Sequence, residues 1–213
     1  MKTVHLAIYD TFSDWETGHA TAHINRAMWQ REPGTWQVKT VGPTAEPVVS
    51  AGGMRVVPDV VLADLAPGDS AMLILPGADT WEAGELAPFA EKAREFLAAG
   101  VPVAAICGST FGLAAAGLLD SRPHTSNAAE YLAFSGYSGG DHFVYEPAVL
   151  DGDLITASGT KPVDFARAIF ARLGVYEPHI LDAWTKLYAD SDPAGFFALA
   201  EYEEKRAAEQ AAR

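Results

Sequence analysis

The stretch Pro102–Thr110, PVAAICGST, decides how this 213-residue chain is read. Val101–Cys107 is a short, unbroken apolar run, as in a strand buried on both faces. Ser109–Leu119, STFGLAAAGLL, follows at once and reads as a helix of small residues. Cys107, the only cysteine in the chain, stands at their junction.

The same alternation extends outward on both sides. Strands are expected at residues 3–9, 36–42, 51–59 (entered by a glycine turn and ending before Pro58) and 70–77. Helices are expected from Ser13 to about Gln30 and over 88–100, the latter closed by Gly100. Ser13 and Glu16 have the spacing of a capping box. Residues 142–159 read as a hairpin turning at Asp151-Gly152-Asp153, and 162–174 as an amphipathic helix stopped by Gly174. Strands alternating with helices imply an α/β fold, with a mostly parallel sheet covered on both faces.

Beyond Gly174, Ile180, Leu181, Trp184, Leu187 and Tyr188 mark one face of a helix over about 179–189. Asp192 and Pro193 start another over 193–212, in which Phe196, Phe197, Leu199 and Ala200 form a large apolar surface. Such surfaces are expected to pack on the domain or on a partner subunit, with the charged end, 201–213, fraying. The organisation is thus one domain, 1–174, plus a C-terminal helical extension, 175–213.

Net charge is −13, with 28 acidic residues against 15 Lys and Arg, which disfavours nucleic acid and anionic membranes as partners. No apolar run approaches a membrane span, and the N-terminus lacks the long apolar region of a signal peptide. A single cysteine forms no internal disulfide, so nothing points to an oxidising compartment, and a cytoplasmic protein is expected.

In open parallel sheets, sites form beyond the carboxyl ends of strands. Three loops meet there: one with Asp14 and Glu16, one with Leu75-Pro76-Gly77-Ala78, and one with Cys107. A nucleophile on a strand-to-helix turn needs small neighbours, which Ala105, Gly108 and Ser109 supply. The following helix directs its N-terminus at the sulfur and favours the thiolate. The alternative is a buried small apolar side chain, and the local residues leave both open. Trp15 reads as core, and Asp14 as a surface acid or a support of its turn. His19 and His23 share a helix face with Glu16, but no second cluster completes a metal site, so no metal or cofactor is expected.

Taken together, the Asp-x-Glu helix start after the first strand, the Leu-Pro-Gly after a middle strand, Ala104-Ala105-Ile106-Cys107-Gly108 and the late Ala157-Ser158-Gly159-Thr160 resemble the PfpI family. This family lies within the class I glutamine amidotransferase-like superfamily, and the resemblance spans about residues 3–174. It implies a flavodoxin-like three-layer sandwich and a homodimer. By position it makes Cys107 the elbow nucleophile and Glu16 the acid that contacts it. Gly77, Ala78 and Gly108 become oxyanion donors. The family's histidine position falls on Ser126, so His124, two residues earlier, is the candidate base, the alternative being a surface or structural histidine. Ser126 is expected at the substrate pocket, and Ser158, Gly159 and Thr160 are expected either to line it or, with Thr160 ahead of Pro162, to cap the helix that follows. The chain has no His-x-Glu pair and no Gly-x-Cys-x-Gly elbow, which argues against glutaminase chemistry.

The expected activity is that of a cysteine-dependent hydrolase or lyase acting on a small electrophile such as a carbonyl or amide. The alternative is a redox-responsive stress protein whose Cys107 is oxidised without turnover.

Overall fold

The computed structural model describes residues 1–212. The main sheet is built from β1 (Lys2–Ala7), β2 (Trp36–Gly42), β5 (Val60–Val61), β6 (Met72–Leu75), β7 (Val103–Ile106), β8 (Ala148–Asp151) and β9 (Leu154–Ala157). A separate two-stranded hairpin joins β3 (Val48–Val49) to β4 (Arg55–Val56). The helices are α1 (Asp14–Asn25), α2 (Ala87–Ala98), α3 (Gly108–Ala115), α4 (Ala129–Ala133), α5 (Pro162–Leu173), α6 (Pro178–Tyr188) and α7 (Pro193–Ala211).

The seven strands run in the order β5-β2-β1-β6-β7-β9-β8, all parallel except for the antiparallel β8–β9 pair. α1 and α5 pack together, as do α2 and α3, giving the flavodoxin-like sandwich. β6, β7 and β9 are buried along their whole length, as strands covered on both faces must be. The strand order reverses between β1 and β6, which places a crevice at the carboxyl ends of the central strands.

Several local expectations change. α1 ends at Asn25 rather than near Gln30, because the buried Gln30 amide turns back and donates to the carbonyls of His23, Ile24 and Arg26. That side chain satisfies the end of a helix it does not belong to. The expected strand over 51–59 is reduced to β4, and Val60–Val61 instead joins the main sheet beside β2. Two residues carry no periodic signal. Ser13 stands at the N-cap but makes no side-chain cap bond, because Glu16 turns inward. Trp15 is not core: it is 56% exposed.

The tail packs within its own chain. Ile180, Leu181 and Trp184 are buried, and Trp184 meets Phe170 edge-on at 5.1 Å. His19 and His23 face this extension, their rings packed against Trp184 and Tyr188. On α7 the apolar surface is narrower than expected, since Leu199 is buried while Phe196 and Phe197 face solvent. The charged end is helical to Ala211 and anchored by Glu203, which accepts from the Trp29 N–H, and by Arg206, which donates to the Gln30 carbonyl. Arg213 lies outside the described residues. Among the described residues no helix is long and apolar enough to cross a membrane.

Candidate active site

Four strand ends converge on Cys107. β7 delivers it, with φ 60° and ψ −126°, a left-handed conformation that a side-chain-bearing residue rarely adopts. The turn is held from several sides. Cys107 N–H donates to the Ala157 carbonyl, Ser109 Oγ accepts from Ile106 N–H, and Thr110 Oγ1 donates to the Cys107 carbonyl. This is the strained elbow that the small neighbours of Cys107 imply, and it leaves the thiol half-buried.

Glu16 reaches the same point from the first turn of α1. It is fully buried. Its Oε2 accepts from the Gly77 N–H at 2.7 Å, and its Oε1 makes no conventional hydrogen bond and faces the sulfur. Gly77 and Gly159 close the space around both atoms. A Cβ on Gly77 would lie 3.1 Å from both Cys107 Sγ and Glu16 Oε1, and one on Gly159 would lie 2.7 Å and 3.0 Å from them.

Burial pushes the Glu16 carboxyl up to about 7, with the Gly77 N–H and the thiol opposing. Burial also pushes Cys107 up to about 11, reinforced by the charge of Glu16 and opposed by the Asn127 amide and the Gly108 N–H. The helix N-terminus alone therefore does not lower this thiol, contrary to expectation. From about pH 7 to about pH 11 the two groups hold one proton between them. With the proton on Glu16, the sulfur is a thiolate facing an O–H donor.

The side chain beside the sulfur that sequence reasoning missed is Asn127. Its Nδ2 lies 3.3 Å from Cys107 Sγ, and its Oδ1 accepts from the Gly159 N–H at 2.8 Å. A backbone N–H can only donate, so the amide oxygen must face Gly159 and the NH₂ the sulfur. The family position falls one residue earlier, at Ser126, and only that proximity signalled Asn127.

Three expected roles are displaced. His124 is fully buried, with Nδ1 on the Arg122 carbonyl at 2.8 Å and Nε2 on the Tyr137 hydroxyl at 3.2 Å, so it is a structural histidine. His124 and Ser126 are directed to different partners, His124 to Arg122 and Tyr137 and Ser126 to Thr110, so His124 offers no base to the sulfur. Ser126 is almost wholly buried, with 2.6 Å between its hydroxyl and that of Thr110, and it lines the groove that opens beside Asn127. Gly77 gives its N–H to Glu16 and Gly108 aims its own at the sulfur, leaving the Ala78 N–H as the free backbone donor of the expected three among the described residues. Thr160 is exposed, with its hydroxyl 3.3 Å from that of Ser158, while Gly159 abuts the sulfur.

Asp14 supports its turn, accepting from Ser50 Oγ at 2.5 Å and the Gly52 N–H at 3.0 Å. A groove of about 290 Å³ opens beside Asn127 and Ser158, walled by Phe143, Tyr145 and Pro147 with Lys161 at its edge.

A family model described as DJ-1/PfpI family matches residues 2–172. The chain is 37% identical over 201 residues to the Bacillus subtilis protein called uncharacterized protease YoaZ, covering 93% of this chain and 96% of that one. It is 33% identical to uncharacterized protease YdeA of the same organism, over 85% of this chain and 88% of that one. In structure it is similar to the thiJ/pfpI family protein from Bacillus anthracis, with a TM-score of 0.88 and 36% identity over 94% of this chain and 97% of that one. With its elbow cysteine, its sheet order and this extent of likeness, the chain belongs to the DJ-1/PfpI family.

Proposed function

We propose that the protein is a cysteine-dependent enzyme of hydrolase or lyase type acting on a small electrophile such as a carbonyl or amide compound. The observation that carries this is the unpartnered, buried Oε1 of Glu16 facing Cys107 Sγ on a strained elbow. The thiolate attacks the electrophilic carbon, the sulfur–carbon bond forms, and the carbonyl π pair moves to oxygen. The Ala78 N–H and the Asn127 amide are the donors beside that oxygen. The proton held by Glu16 is the one within reach of the adduct, since an amide donates a hydrogen bond without passing a proton. The groove beside Asn127 takes the remainder of a small substrate. The two relatives called proteases agree with a hydrolase-type reaction.

The protein acts as a cytoplasmic homodimer in this reading. Trp15 on α1, Val49 and Met54 in the β3–β4 hairpin and Val57 just after it leave apolar side chains exposed, and a second copy would cover them. Sedimentation at micromolar concentration should give twice the chain mass, and a monomer would remove this part.

Turnover should be sought across small dicarbonyls, amides and isocyanides, with Cys107→Ser as control. The proposal expects product formation that is lost in Cys107→Ser, with the thiol still free after many turnovers. The redox alternative uses the same residues and predicts stoichiometric oxidation of Cys107 by mild peroxide with no turnover of any of these compounds.

A further inference from the structure

The peptide joining Pro76 to Gly77 is gripped at both ends. Its carbonyl accepts from the Tyr9 hydroxyl at 2.5 Å and from Trp81 Nε1 at 3.0 Å, and Trp81 Nε1 also lies 3.2 Å from the Tyr9 oxygen. Its N–H is the one that donates to Glu16 Oε2 at 2.7 Å. Carbonyl and N–H are two ends of one conjugated unit, so each donor on the oxygen strengthens the N–H as a donor. Tyr9, Trp81 and Glu16 are all buried, which removes competing water. With Oε2 anchored, the carboxyl plane is set and Oε1 is left facing the sulfur.

We propose that Tyr9, supported by Trp81, is a positioning residue that acts through the Pro76–Gly77 peptide to set how one proton is divided between Glu16 and Cys107. This rests on the reading of that pair as the reactive unit. Strengthening the N–H bond to Oε2 favours the carboxylate form of Glu16, so Tyr9 restrains the thiolate and keeps the proton exchangeable between the two. The groups facing Glu16 are the Gly77 N–H, Cys107 and, from the N-terminus of α1, Ser13. Tyr9 and, from α4, Tyr131 also sense its charge. The competing view is that Tyr9 is a core tyrosine whose hydroxyl merely needs a partner. That view predicts a change in stability and none in how Cys107 titrates.

Tyr9→Phe separates the two. It keeps the edge-on ring packing against Trp81 at 5.7 Å and Phe89 at 5.0 Å, and Pro76 keeps the Trp81 donor. The rate of Cys107 alkylation by iodoacetamide is followed against pH in the full-length wild type, Tyr9→Phe, Glu16→Gln and the double variant. In Tyr9→Phe the first inflection should move up by about 0.2 to 0.5 pH units. The plateau above it should rise about 1.5- to 3-fold, while rates below the inflection coincide with wild type. In the Glu16→Gln background, Tyr9→Phe should change nothing. A Tyr9→Phe profile that superimposes on wild type, or a shift that persists without Glu16, overturns the role of Tyr9. A Glu16→Gln profile identical to wild type overturns the pair itself.

Discussion

Asn127 gives its side-chain amide to Cys107 Sγ at 3.3 Å, and the Gly159 N–H, 2.8 Å from the amide oxygen, fixes which end of the amide meets the sulfur. The contact supports negative charge on sulfur without offering a base. Asn127→Ala removes one such donor, a loss of about 1 kcal/mol for the thiolate, so iodoacetamide labelling at neutral pH should slow about fivefold. Because Asn127 is exposed, the melting temperature should stay nearly constant. Asn127→Asp should slow labelling further, by adding a negative charge.

Gly159→Ala should disable the thiol. The new Cβ would lie 2.7 Å from Cys107 Sγ and 2.8 Å from its Cβ, closer than such atoms can stand. The elbow or the Ser158–Gly159 loop must give way, and labelling should fall at least tenfold with a stability cost of about 1–3 kcal/mol. Labelling at the wild-type rate would show that the two strand ends do not meet as described.

Glu16 makes the fold sensitive to rising pH. Its folded pKa of about 7 lies above the ordinary 4.5, so its stabilising contribution is full below pH 4.5 and is lost as pH rises through 7. The difference is on the order of 3 kcal/mol. Glu16→Gln lacks this dependence. Urea unfolding should therefore show the variant gaining on wild type between mildly acidic and mildly alkaline buffer, and a constant difference would contradict the burial of this carboxyl.

His23 works in the opposite direction. Burial, with His19 and Arg26 adding, lowers it to about 4 from 6.5. Its neutral form is the folded one, so stability is full above pH 6.5 and is lost as pH falls toward 4, again on the order of 3 kcal/mol. Its ring lies against Trp29, Phe170, Trp184 and Tyr188, so tryptophan fluorescence reports the loss. His23→Phe should flatten the fluorescence change over that interval.

The C-terminal helices should prove indispensable. Trp184 is fully buried against α1 and α5, and Trp184→Ala should cost about 3–5 kcal/mol in urea unfolding. A chain cut after Gly174 exposes Phe170 and His23 and should aggregate or melt well below the full chain. A soluble truncation of unchanged melting temperature would refute this.

Much of the fold is legible in local pattern. Apolar runs such as Met72–Leu75 and Val103–Ile106 are buried strands because neither of their faces is polar. The apolar spacing of α6 marks its buried stripe of Ile180, Leu181 and Trp184 because helix geometry brings those positions to one side. The small neighbours of Cys107 permit the elbow found there, though locally they permit a buried apolar cysteine as well. The strand and helix patterns are properties of the chain within a few residues, and the amino-acid order determines them alone.

What only the tertiary structure decided is which side chains meet. Asn127 rather than His124 or Ser126 reaches the sulfur because Thr125 is pinned on both sides, its N–H to Thr156 Oγ1 and its hydroxyl to the Glu146 carbonyl. The chain bends at residue 127, just after this fixed point, and the exposed Asn127 lays its amide against the sulfur. Gly159 abuts Cys107 because β7 and β9 pair with Ile106 opposite Ala157. Glu16 abandons the capping role that its spacing implies because the Gly77 N–H, sixty-one residues away in sequence, offers its carboxylate a buried donor. Each of these contacts spans twenty or more residues, and the energy that selects it comes from strand register and burial, which no local window of sequence contains.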